Sequence, residues 1–245
     1  MANVFEIEKY LNELLEVEKF NDFCFNGIQI EGKSEVKKVA IGVSFNLEFI
    51  EKAIEENADM MFVHHGIFGK NFFKLRGYLK KRVEWVIKND MTLMGYHLPL
   101  DSHIEYGNNG QIAKRLNLKN IIPFDYGVIG EYEKEIPFSE FKEKMEEVFQ
   151  RKDLFIYKNK EYVRKIAIIS GGASYIIDAL ENTEVDTFIT GEVKEHIRDI
   201  AKEIGINYIN AGHYTTETFG VKAIGEILEK KFGLETIFID VYNEI

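Results

Sequence analysis

Three short stretches carry metal-ligating side chains at usable intervals. "FVHHG" sets His64 beside His65, "YHLPLD" places His97 four residues before Asp101, and "GHYTTE" places His213 four residues before Glu217. Four of the six histidines thus fall in three motifs, each following a short apolar run. Imidazole combined with carboxylate suits Zn, Mn, Fe, Co or Ni better than Ca or Mg. The set exceeds the four ligands of one tetrahedral zinc. It fits a pair of divalent transition-metal ions sharing a carboxylate, about 3.5–4 Å apart in such centres.

Each motif alone has a plain structural reading, because paired histidines occur in cores and a histidine before an acid is common in loops and caps. Their joint position at strand ends argues for chemistry. His103 and His196 lack that position, and His196 falls in a helix read over 193–204. Successive strand residues face opposite ways, so His64 and His65 share a neighbour only if the strand stops there. Gly66 makes the bend easy.

The elements that must position these residues alternate. Helical spacing of Val4, Ile7, Leu11, Leu14 and Leu15 predicts a helix within 3–20. Strands are read at 38–44, 60–63, 91–96, 164–170, 186–190 and 206–210. Helices are read at 46–57, 78–90, 174–182 and 193–204, with a last one from 216 to 233. Thr215 or Thr216 reads as the N-cap of that last helix, with Glu217 in its first turn. Such alternation predicts an α/β fold with mixed sheets flanked by helices.

The chain also repeats itself. "VKKVAI" at 36–41 matches "VRKIAI" at 163–168, and the same offset of 127 sets Asp59 of "ADMMFV" on Asp186 of "VDTFIT". It therefore sets His64 and His65 on Gly191 and Glu192. With a shorter offset, His97-x-x-x-Asp101 stands opposite His213-x-x-x-Glu217. An internal duplication accounts for this. It predicts two similar, intertwined lobes, 1–125 and 126–245, acting as one unit, with a metal site where their strand ends converge. The helix read at 137–152 is the expected bridge.

With 245 residues and 45% hydrophobic content there is ample material for a core. A net charge of -10 argues against a general nucleic-acid coat. A single cysteine, Cys24, forms no internal disulfide and reads as buried and inert. No apolar run approaches the roughly 20 residues of a membrane span, and "MANVFEIEKY" is no signal peptide. A cytoplasmic protein without membrane attachment is expected.

Three lesser features remain. Residues 66–82 hold Lys70, Lys74, Arg76, Lys80, Lys81 and Arg82 without an acid. Lys70, Lys74 and Arg76 could hold a phosphate, while Lys80 to Arg82 read as a solvated helix face. Phe68, Phe72 and Phe73 could stack on a base, but core packing or a subunit contact accounts for them more simply. "SGGAS" at 170–174 is a glycine turn whose N–H groups could meet an anion. The serines have no G-x-S-x-G context, which disfavours a serine hydrolase.

Taken together, "FNGIQIEG", "FVHHGIFGK", "HLPLD", "SGGAS", "DTFITGEVKEH" and "GHYTTE" resemble the NIF-three-like family, often labelled GTP cyclohydrolase I type 2 homologues, over essentially the whole chain. The resemblance implies a duplicated α/β fold, a two-metal centre and a ring-shaped homohexamer. It implies that His65 and Asp101 bind one metal, that His64 and His213 bind the other, and that Glu217 bridges them. His97 takes a supporting or proton-transfer role, with Glu192 a further candidate. Many members read His-His-Pro where this chain has His64-His65-Gly66. Longer relatives insert a domain where this chain has only residues 125–160.

Two functions compete. One is a dinuclear-metal hydrolase acting on a small anionic substrate, either a purine nucleotide such as GTP or a related phosphate or amide. The other is a non-catalytic metal-binding ring or regulatory protein that binds single-stranded nucleic acid along the basic 70–82 stretch.

Overall fold

The computed structural model describes residues 1–70 and 74–245. The chain forms two compact units, Met1–Leu100 with Gly220–Tyr242 and Asp101–Phe219 with Asn243–Ile245. This partition does not coincide with a boundary at 125. The chain changes unit after Leu100 and returns at Gly220, because the strand Glu235–Phe238 pairs in parallel with Lys38–Ser44.

The first unit carries a five-stranded sheet in the order Glu235–Phe238, Lys38–Ser44, Met60–His65, Thr92–Gly95, Gly27–Ile30. The first four strands are parallel and the last is antiparallel. "KVAIGVS" and "MMFV" are near-continuous apolar runs because such strands are buried on both faces. The helix Leu47–Glu55 starts where the Asn46 side chain accepts the Phe49 N–H at 2.9 Å. It buries Phe49, Ile50 and Ala53 in one core with Met61 and Val63.

The second unit carries six strands in the order Lys119–Phe124, Gly127–Pro137, Tyr162–Ile169, Thr187–Thr190, Asn207–Asn210, Phe155–Tyr157. The Tyr162–Ile169, Thr187–Thr190 and Asn207–Asn210 strands are parallel, with antiparallel strands on both sides. Both sheets thus contain a run of three sequential parallel strands followed by an antiparallel neighbour, and the first adds Glu235–Phe238 as a fourth parallel strand.

The duplication reappears in a hydrogen-bonding device. Asp59 Oδ2 accepts the N–H groups of Lys37 and Lys38 at 2.9 and 3.3 Å. Asp186 Oδ2 accepts those of Arg164 and Lys165, both at 2.8 Å. All three residues are offset by 127, the spacing seen in the sequence. Each carboxylate ties the start of one strand to the start of its neighbour. Asp59→Ala or Asp186→Ala is expected to lower the unfolding free energy by about 1–3 kcal/mol, readable in urea titrations.

Some elements differ from expectation. The first helix ends at Leu14, Ser174–Leu180 is a 3-10 helix, and the 193–204 helix begins only at Ile197, with His196 exposed before it. The helix Phe138–Phe149 is not a bridge. Its Phe138, Phe141, Met145 and Phe149 share one face and pack with Tyr132, Val163 and Ile166 inside the second unit. No described helix is long and apolar enough to cross a membrane.

Candidate functional site

In each unit the chemistry-bearing residues gather at or just beyond the carboxyl ends of parallel strands, where α/β sheets bind ligands. In the first unit His64 and His65 are the last two residues of Met60–His65. Their rings nonetheless lie together, with centroids 4.6 Å apart and planes tilted by 41°. His97, two residues past Thr92–Gly95, adds a third ring 5.0 Å from His64 and 5.7 Å from His65. One ligand nitrogen from each of the three lies within 4.8 Å of the other two.

Each ring is held by its Nδ1. His64 Nδ1 donates to the Tyr96 carbonyl at 2.9 Å, so in the neutral ring the lone pair is on Nε2. His65 Nδ1 lies 3.1 Å from Ser44 Oγ. His97 Nδ1 lies 3.0 Å from Asp22 Oδ1.

Asp22 is the residue that sequence reasoning misses. It is buried and accepts four donors: Cys24 N–H (3.0 Å) and His97 on Oδ1, Leu98 N–H (2.9 Å) and Asn26 Nδ2 (3.2 Å) on Oδ2. Burial opposes its ionisation, but the hydrogen bond and charge of His97 and the two backbone N–H groups outweigh it. The carboxyl is pulled down to about 2. Its contribution to stability is therefore complete above its ordinary value near 3.8 and is lost as pH falls through about 2. Asp22→Ala strands these donors and is expected to cost about 3–5 kcal/mol in urea unfolding.

The surrounding loop explains "FNGIQIEG". Asn26 Oδ1 accepts the His97 N–H at 2.8 Å. Gln29 Oε1 accepts the N–H groups of Ile67 and Phe68 at 2.7 and 3.1 Å, fixing the chain after the histidines. A Cβ at Gly66 would strike the Gln29 carboxamide, so glycine there makes room for the clamp. Burial, then the Asp22 charge, pushes the Cys24 thiol up to about 12, in keeping with an inert cysteine.

In the second unit His213 opens the short helix His213–Thr216, and Glu217 follows at its end. His213 Nε2 is 3.0 Å from Glu217 Oε1, and its Nδ1 is 2.6 Å from Glu192 Oε1. Burial opposes charge on this ring, but Glu217 and then Glu192 outweigh it and raise the imidazole to about 9. Gly171, at φ +65°, backs the pair: a Cβ there would collide with Glu217 Oε1 and press on His213 Nε2. Asp101 is buried, and its Oδ1 accepts Asn108 Nδ2 at 2.9 Å and Ser170 Oγ at 2.8 Å.

A profile of the Duf34/NIF3 (NGG1p interacting factor 3) family matches residues 2–245. The chain belongs to this family. Among NIF3 relatives, a Haemophilus influenzae protein named GTP cyclohydrolase 1 type 2 homolog is 42% identical, covering 98% of this chain and 99% of its own. A protein of the same name from Pyrococcus horikoshii is 38% identical over 96% of each chain. The crystal structure of TTHA1606 from Thermus thermophilus superposes with a TM-score of 0.94 at 33% identity, covering both chains completely.

Several expectations for this NIF3 chain need revision. Neither Thr215 nor Thr216 caps a long helix. Thr216 Oγ1 donates to the His213 carbonyl and accepts the Gly171 N–H, leaving Glu217 at a break before the helix Thr218–Phe232. "SGGAS" does not offer its first N–H groups to an anion. Ser170 N–H goes to Asn109 Oδ1 and Gly171 N–H to Thr216, so the turn orients Asp101 and Glu217 instead. Phe68 packs against the first unit's core, while Phe72 and Phe73 lie outside the described residues. Lys70 is exposed and bonds Asn21 Oδ1 at 2.6 Å; Lys74 and Arg76 are exposed.

Proposed function

We propose that the chain is a dinuclear-metal-dependent hydrolase of the cytoplasm. The proposed ligands are His65 and Asp101 for one ion, His64 and His213 for the other, and Glu217 for both. The convergence of His64, His65 and His97, with ligand nitrogens within 4.8 Å, carries this reading. The second unit fits the same chemistry. Glu217 and the Nε2 of His213 share a recess lined by a glycine, where a side chain would fill the space. Imidazole and carboxylate donors suit Zn, Mn, Fe, Co or Ni. Such a pair of ions supplies Lewis acidity and a strong oxygen nucleophile at neutral pH.

The protein's own part is to hold and move protons. Asp22 keeps a proton on His97 Nδ1 and orients the ring, leaving Nε2 to exchange a proton with substrate. Glu192 does the same for His213 Nδ1, directing its Nε2 to metal. The substrate is a purine nucleotide such as GTP, following the printed name of the relatives, or a related phosphate or amide. Lys70, Lys74 and Arg76 are the phosphate contacts of this reading. Phe23, Phe25, Leu75 and Tyr78, each about half exposed or more, supply apolar surface for assembly into a homohexameric ring.

The test is metal content by plasma mass spectrometry, followed by hydrolysis assays with GTP, phosphoesters and amides before and after chelation. About two ions per chain and turnover that chelation abolishes and metal restores are expected. Bound metal without turnover on any substrate would favour the non-catalytic ring. Failure to bind any of the five metals would overturn the centre.

A further inference from the structure

A cavity of about 360 Å³ lies in the second unit, its lining including Arg151, Asp153, Phe155, Glu192, Asn210 and Glu244. It begins one side chain from the proposed metal ligand His213, because Glu192 both lines it and bonds the His213 ring at 2.6 Å. We propose that this cavity is the substrate-recognition subsite and that it takes a neutral or cationic planar group rich in N–H donors, such as a nucleobase with an amide edge. It does not take the phosphate. This inference rests on the hydrolase reading above, which supplies the reacting centre beside it.

Charge decides against an anion. Arg151 is the only cation among the described lining residues, and it is already engaged. Its Nε and Nη2 bond Asp153 at 2.9 and 2.8 Å, and its Nη1 donates to the Ala211 carbonyl at 3.2 Å. Three carboxylates, Asp153, Glu192 and Glu244, outnumber that one guanidinium. A phosphate entering here would meet net negative charge, whereas ring N–H and exocyclic amine groups would meet acceptors.

Shape favours a flat group. The volume is at the small end for ligand pockets, enough for a base but not for a whole nucleoside triphosphate. Phe155 is 43% exposed at the cavity wall, and its ring is set edge-on against Tyr157, with centroids 4.9 Å apart and planes at 85°. That contact fixes its orientation, so its face can act as a stacking platform. Gly212, at φ +92°, has no Cβ to push the Arg151 guanidinium away from the wall. Asn210 accepts the Gly212 N–H at 2.9 Å and holds that wall in place.

The experiment is saturation-transfer NMR on the metal-treated full chain, with guanosine as the neutral donor-rich probe and inorganic triphosphate as the anionic one. Wild type is compared with Phe155→Ala, a change at a half-exposed position, and metal content is measured on the same samples. Guanosine is expected to bind, Phe155→Ala to weaken it about tenfold, and triphosphate not to displace it. Absence of guanosine binding, equal binding by the variant, or displacement by triphosphate would each overturn the proposal. Metal at full occupancy with no guanosine binding would overturn the subsite and leave the metal centre standing. Guanosine binding with the expected variant effect, in protein that takes up no metal, would uphold the subsite and overturn the hydrolase reading.

Discussion

Glu217→Gln is expected to give a folded protein whose metal content drops from about two ions per chain to one or none, measured by plasma mass spectrometry alongside circular dichroism. Glu217 is only 3% exposed, and a buried carboxylate is costly unless a cation faces it. In the metal-free protein that cation is the His213 imidazolium, 3.0 Å away. Glutamine keeps the side-chain volume, so the recess at Gly171 stays filled and the fold is spared. It removes the negative charge and one of two equivalent oxygens, which a ligand shared by two ions needs. His213 then loses the larger of its two acidic influences and titrates closer to its ordinary value. Unchanged metal content in the variant would remove Glu217 from the ligand set.

With His213 and Glu217 as ligands in the proposed centre, metal uptake is expected to depend on pH. Apparent affinity for the ion that His213 holds is expected to rise about 100-fold between pH 6.5 and pH 9 and to level off above, as that ion displaces one proton. The sign follows from His213. Its imidazole is raised from 6.5 to about 9, so Nε2 holds a proton at neutral pH that an incoming ion must expel. For the metal-free fold the dependence runs the other way. A group whose proton is held more tightly in the folded state stabilises fully below 6.5, and that contribution is lost as pH rises through about 9. Chelator-competition titrations at several pH values, corrected for the chelator's own protonation, would measure the first effect. Urea unfolding of metal-free protein would measure the second. A flat affinity profile would mean that His213 Nε2 is not a ligand.

Much of the architecture is legible in the chain, for reasons that particular residues make clear. The runs at 38–44, 60–63 and 186–190 read as strands because parallel strands buried on both faces leave no polar alternation. The 127 offset is legible because Asp59 and Asp186 do the same work on the same backbone positions. Edge strands are harder. Lys119–Phe124 exposes most of its side chains, so no apolar run marks it. The 138–149 helix shows its apolar face at once, but periodicity does not say which sheet receives that face. Within the site, the histidines and acids announce themselves by type. Asp22 does not, since it lies 75 residues from His97 in an ordinary-looking "FNDFCF" and only folding brings the two together. Its one local signal is the nearby Asn26, which shares the task of holding His97. Glu192 is visible only as the duplicate of His65.

The return of residues 220–242 to the first unit has a consequence for synthesis on the ribosome. Lys38–Ser44 is among the earliest apolar strands to emerge, yet its parallel partner Glu235–Phe238 is made about 200 residues later. Until then "KVAIGVS" presents an open edge of unpaired N–H and carbonyl groups, the kind that pairs with other chains. The whole of Asp101–Phe219 can fold during that wait. All of the second unit but its last three residues, Asn243–Ile245, is therefore made before the first unit can close its sheet, and that interval is when a chaperone has most to protect.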